Sequence, residues 1–198
     1  MVMDRQKAEV VSLTPDLNRV VAAVAYVIHT AENLGSSFTQ YDVVKSLFLA
    51  DRAHLNEYGR LVSSDRYVAM VHGPVPSTAY DLLKRETVTM KVHKLDHLPW
   101  KSRDGRKPKT REFFEADVSW VDDYLAPSDK MAIESAVRAI RSLSFSQVRK
   151  LTHDDPAYID AWEEDNSHRK QFPISLAMLF EVPNFERARE LSEMSTFH

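Results

Sequence analysis

The chain contains no cysteine. That absence removes disulfides, thiolate-ligated zinc, iron–sulfur clusters and every cysteine-nucleophile mechanism together. Glycine is nearly as scarce, with only Gly35, Gly59, Gly73 and Gly105, and the closest pair, Gly59 and Gly73, stands 14 positions apart. The dinucleotide fingerprint, the phosphate-binding Walker loop and the nucleophile elbow all need glycines a few residues apart, so none of them is present. The longest uninterrupted apolar run is Val20 to Ile28, far short of the roughly 20 residues that span a bilayer. No membrane contact is expected. Nor is there an excess of positive charge: 26 Lys and Arg against 29 Asp and Glu give a net −3, so no global field draws in nucleic acid. Acids Asp4 and Glu9 in the first residues argue against a secretory leader and for a cytoplasmic protein.

At 198 residues, a single domain is the default expectation, with a core over about 15–165 and a helical extension over 166–198. Thr14 as N-cap, Pro15 at the first helical position and Gly35 as terminator frame one helix, whose Val20, Val21, Val24, Ala25, Val27 and Ile28 predict burial on more than one side. Thr39 and Gly59 frame a second, with an apolar stripe through Tyr41, Val44, Leu47, Phe48, Leu55 and Tyr58. Asp51 lies on that stripe, within about 20° of Val44 at about 100° per residue. A carboxylate pressed toward a core needs partners. Amides of a neighbouring loop, Arg52, His54 and Arg66 are the candidates, and a metal or catalytic role is the alternative.

Residues 66–71 read as a short strand, and His72-Gly73-Pro74-Val75-Pro76 as a shaped loop. Ser77 is expected to cap a short helix through Tyr80 to Leu83. Val88, Met90 and Val92 alternate with polar residues, Asp104-Gly105 is a turn signal, and 111–118 supply a return strand, which together predict a long-armed β-hairpin. Lys101, Arg103, Arg106, Lys107, Lys109 and Arg111 crowd its tip, with Trp100 only at one edge, so a solvated turn fits better than a stacking platform for bases. Pro127 opens another helix through Ile133, Val137 and Ile140, and a short one runs from Ser144 or Ser146 to His153. The acidic stretch Asp154, Asp155, Asp160, Glu163, Glu164 and Asp165 reads as a solvated face around Trp162, which is itself expected to be buried. Residues 174–181 and 184–194 read as two last short helices. The fold class is therefore α+β, mainly helical, with a small antiparallel β element.

The eight histidines form no H-E-x-x-H pattern. Asp51-x-x-His54 and His93-x-x-x-His97 could each hold one edge of a metal site, but neither shows the third ligand a catalytic zinc needs. No metal, cofactor or catalytic residue is expected.

Residues 47–83 carry Ala50-Asp51-Arg52, His54-Leu55, Tyr58-Gly59, Asp65 with Tyr67, and Gly73-Pro74-Val75 before Tyr80. This pattern resembles the Panacea domain of SocA-like antitoxins. Leu151-Thr152-His153 followed by Trp162 is similar to the family's C-terminal motif, with Asp154 to Tyr158 lengthening the gap, and the resemblance extends over about 15–165. It implies a mainly helical domain from bacterial or phage toxin–antitoxin pairs that binds and neutralises a toxin encoded nearby, without catalytic residues. Partner contacts are then expected on the charged surfaces outside the motif, at Arg103, Arg106, Lys107, Asp160 and Glu163. Two alternatives stay open: a DNA-binding repressor touching phosphates with the basic hairpin, and a metal-dependent or acid–base enzyme centred on Asp51, His54 and His153.

Overall fold

A computed structural model describes residues 9–85, 87–92, 94–162 and 169–197. Helix α1 (Leu17–Asn33) is buried almost all round, from Val20 to Ala25 and again at Val27, Ile28, Thr30 and Ala31, as its continuous apolar run predicts. Its cap is Asp16 rather than Thr14: the Asp16 carboxylate accepts from the amides of Asn18 and Arg19 at 3.0 and 3.2 Å. An ionised side chain two residues closer to the first turn satisfies its free amides and complements its positive end. Gly35 closes the helix at φ +70°, with its N–H donated to Glu32.

Helix α2 (Gln40–Tyr58) has the expected ends. Thr39 and Asp42 form a reciprocal capping box, and Gly59 terminates it in the left-handed region at φ +77°. It separates two apolar clusters. Val44 and Leu47 face a core built with α1, α3 (Ser77–Leu83), α5 (Pro127–Ser142) and an antiparallel sheet of β1 (Phe38–Thr39), β5 (Arg111–Phe114) and β4 (Lys101–Asp104), in that order. Phe48 and Leu55 face a second core that includes β2 (Tyr67–Met70), α7 (Pro156–Ala161) and the segments near β6 (Phe172–Pro173) and α8 (Phe185–Met194). With apolar side chains pointing both ways, α2 is fixed in place from two sides.

The hairpin of β4 and β5 exists, with Asp104 opposite Arg111, but its first arm does not reach back to Val88. Residues 87–92 are instead a short helix, α4 (Thr87–Val92), with Val88 and Val92 exposed. Alternation needs a strand to pair with, and β5 is already flanked by β1 and β4, so a local helical turn satisfies these backbone groups instead. His72 to Pro76 is likewise not only a loop: β3 (Gly73–Pro76) pairs with β2, from Tyr67 opposite Pro76 to Met70 opposite Gly73. It is an edge strand in the order β3-β2-β6, where prolines without N–H groups are tolerated. Ser77 is the first residue of α3, not its cap. Helix α6 (Phe145–His153) starts from a Ser144–Gln147 capping box. Residues 176–179 form a 3-10 turn rather than an α-helix, and Asn184 caps α8.

Candidate functional site

The motif residues build a buried polar scaffold. Asp51 is 1% exposed. Its carboxylate accepts from the Ser63 amide at 2.7 Å, from the Ser63 hydroxyl, and from the Tyr67 phenol at 2.7 Å. Burial pushes the Asp51 carboxyl up from its ordinary range, against these hydrogen bonds. Burial also drives the Tyr67 phenol well above its ordinary value, reinforced by the Asp51 charge. Neither Arg52, His54 nor Arg66 pairs with Asp51. The loop between α2 and β2 does, because Leu61, Val62, Ser63 and Asp65 are themselves buried and their backbone needs acceptors.

Asp65 does for α3 what Ser77 was expected to do. Its carboxylate accepts from the amides of Arg66, Thr78 and Ala79 at 2.8, 3.2 and 2.9 Å, closing the helix from outside. Desolvation moves its carboxyl up to about 6.

Arg52 reaches Asp155 at 2.8 Å and the Leu179 carbonyl at 2.8 Å, tying α2 to the C-terminal half. His54 is buried, with Nδ1 2.9 Å from the Arg60 carbonyl and Nε2 3.1 and 3.2 Å from Ser128 Oγ and Asp129 Oδ1. Asp129 is a hub that sequence reasoning missed. Arg60 grips it with two nitrogens at 2.7 and 2.9 Å, Arg19 adds a third at 3.2 Å, and the Ala126 amide donates at 2.8 Å. Burial pushes its carboxyl up, but Arg60, the Ala126 amide and Arg19 outweigh it and hold it below the usual range. Tyr58 lies outside the core, 51% exposed with its ring 4.6 Å from that of His54, so the apolar stripe ends at Leu55.

The acidic stretch is not one solvated face. Asp154 is exposed and pairs with Lys150, Asp155 is buried against Arg52 and caps α7, and Asp160 is half-buried. Glu163, Glu164 and Asp165 lie outside the described residues, as does His93, while His97 is exposed. Trp162 is half-buried rather than fully so, stacked on Tyr158 at 5.7 Å and edge-on to Phe172. Asp51, His54 and His153 do not converge. The polar atoms of Asp51 and His54 are engaged by separate partners, whereas His153, its ring 4.5 Å from that of Tyr158, keeps a buried Nε2 without a hydrogen-bond partner among the described residues. Among the described residues no group of three or more His, Asp or Glu is placed to hold a metal.

One recess does gather chemistry. A cleft of about 350 Å³ opens between the start of α2, the turn joining β2 to β3, Tyr80 of α3, the β4–β5 connection and Phe145. Lys45 borders it, fully buried, its ammonium donating to the Pro74 carbonyl at 2.8 Å. Desolvation lowers the Lys45 ammonium to about 7. Gly73 makes this close approach workable: at φ +96°, a Cβ there would stand 2.7 Å from Lys45 Nζ and 2.9 Å from Thr152 Oγ1. Lys45 follows Tyr41 by one helical turn but falls about 40° beyond it, outside the arc of the apolar stripe that holds Asp51.

No curated protein and no solved structure matches the chain. The family described as antitoxin SocA-like, Panacea domain, matches residues 43–159, beginning within α2 and ending just before Trp162, a narrower span than the 15–165 expected. Every motif residue from Asp51 to Tyr80, together with His153, falls inside it. A match over more than half of the chain, on a mainly helical α+β fold, places this protein in the SocA-like antitoxin family with its Panacea domain.

Proposed function

We propose that this chain is the antitoxin of a toxin–antitoxin pair and neutralises a toxin encoded nearby by binding it directly. The observation that carries this reading is the family match over residues 43–159. It gains support from the use the fold makes of the motif. Asp51, Asp65, Tyr67 and His54 are consumed in internal hydrogen bonds, which fits a scaffold that presents other surfaces to a partner better than it fits a reacting centre. Exposed Arg106 and Lys107 in the β4–β5 connection, and half-buried Asp160 on α7, are the surface charges we assign to partner choice; Glu163 is assigned with them from the sequence. Complementary charge steers encounter and rejects wrong partners more than it adds affinity.

The deciding experiment expresses the adjacent reading frame alone and with this chain. Growth arrest by the neighbour, relieved by this chain, with the two proteins co-eluting as a stable complex, is expected. Relief of arrest without any physical complex, or no arrest at all, would remove direct neutralisation as the function.

A further inference from the structure

We propose that the cleft between α2, the β2–β3 turn and the β4–β5 connection binds a small organic anion, a carboxylate or phosphate ester carried on a flat apolar body. Charge is the first ground. Lys45, Lys109 and Arg111 border the cleft and no Asp or Glu does, in a chain whose net charge is −3. The same hairpin supplies an internal comparison. Lys101 and Arg103 are paired with Glu115 and Glu112, whereas no carboxylate pairs with Lys109 or Arg111 among the described residues. Lys101 and Arg103, which do not border the cleft, are neutralised, whereas Lys109 and Arg111 at the cleft are not; Arg106 and Lys107, exposed beyond it, also carry no ion pair among the described residues.

Lys45 is the second ground. A buried ammonium ordinarily has a carboxylate beside it, because desolvation without a counter-charge is costly. Here it has one carbonyl, that of Pro74, and the Tyr41 ring at 5.4 Å. An anion seated in the cleft would supply the missing charge across a low-dielectric wall, with Arg111 and Lys109 making the direct contacts at its mouth. The Tyr41 hydroxyl, also buried, has no hydrogen-bond partner.

The apolar body follows from the walls. The rings of Tyr41 and Phe145 lie 4.8 Å apart, Phe145 is 53% exposed, and Val44, Met70, Val71 and Val75 add apolar surface to the wall. A recess of about 350 Å³ is at the small end of the range for organic ligands, roughly 300–1,000 Å³, and too confined for a folded partner's surface. This inference is independent of toxin binding and survives if that reading fails.

Phenyl phosphate and phenol are the probes, titrated into the full chain by amide NMR and calorimetry. Phenyl phosphate is expected to shift the amides of Tyr41, His72, Thr110 and Phe145, and to bind about tenfold or more tightly than phenol, as expected for charge-assisted hydrogen bonds to the anion. Replacing the mouth residues together, Lys109→Ala with Arg111→Ala, should weaken phenyl phosphate by about tenfold or more while the chain stays folded, since Lys109 is exposed and Arg111 half-buried without an ion pair among the described residues. Lys45→Met should weaken it too, and where that variant fails to fold the mouth variant alone decides. Equal binding of phenol and phenyl phosphate, unchanged affinity in the mouth variant, or no shift of these amides at millimolar phenyl phosphate would each overturn the proposal. So would occupation of the cleft by a toxin segment with no binding of the small anion.

Discussion

The phenol of Tyr67 donates to Asp51 Oδ2 at 2.7 Å, across from the Ser63 amide that donates to Oδ1 at the same distance. One carboxylate thus fixes a strand and a buried loop to the central helix. Asp51→Ala leaves the Ser63 amide, the Ser63 hydroxyl and the Tyr67 phenol without their acceptor. Buried donors left unpaired cost about 1–3 kcal/mol each, non-additively, so the variant should lose about 3–5 kcal/mol of stability. Urea unfolding measures it, and an unchanged midpoint would show that the loop finds other acceptors.

Asp65 sets a pH dependence of opposite sign to an ion-paired carboxylate. Burial raises its carboxyl to about 6, above the roughly 3.9 of an unfolded chain. The folded protein therefore binds this proton more tightly. Its contribution favours folding most below about pH 4 and is lost as pH rises through about 6. Asp51 is shifted in the same direction, while Asp129, held low by Arg60 and Arg19, contributes stability that disappears only as pH falls through its own lowered range. Asp65→Asn removes one titration. The stability of the native chain relative to this variant should fall by up to about 3 kcal/mol between pH 4 and 6 and then level off. A difference that is flat, or that grows with pH, would contradict the assignment.

Gly73 is held at φ +96°, and a Cβ there would stand 2.7 Å from Lys45 Nζ. Gly73→Ala should cost at least about 2 kcal/mol, combining backbone strain with the displaced ammonium. The two parts separate in a double-mutant cycle with Lys45→Ala. That background relieves the contact with Nζ but not the φ angle, so a coupling of about 0.5–3 kcal/mol is expected. Strict additivity would mean that Lys45 and Gly73 do not share space.

What the sequence made legible was local. Thr39, Gly59 and the stripe between them place Asp51 toward the core, because caps and helical periodicity act within a few residues. Its partners were narrowed to a set that contained the right loop, but Ser63 itself could not be named. Val88 to Val92 was misread because strand alternation has meaning only beside a pairing edge, and the order β1-β5-β4 is a long-range fact. Asp129, with ligands from Arg19 and Arg60 over a hundred and about seventy positions away, left no trace in spacing. Lys45 left little more: at about 100° per residue it falls about 40° beyond Tyr41, outside the arc that holds Val44, Asp51 and Leu55.

Arg103 is not free at the hairpin tip: it pairs with Glu112 at 3.0 Å, bonds Ser37 Oγ at 3.1 Å and lies over the Phe114 ring at 5.1 Å. Arg106 and Lys107 are exposed in the connection beyond it. Replacing all three with alanine should cost no more than about 1 kcal/mol, because exposed ion pairs contribute little. If these charges steer the toxin, the variant should associate more slowly with it, and the deficit should shrink as salt rises, since screening at about 0.15 M already shortens the reach of charge to about 8 Å. Dissociation should change less than association. Stopped-flow association with the neighbouring gene's product, measured across ionic strengths, decides. Restoring Arg103 alone distinguishes its two roles: recovered stability without recovered rate leaves steering to Arg106 and Lys107, whereas native rates at low salt in the triple variant would make the hairpin a solvated turn with no part in recognition.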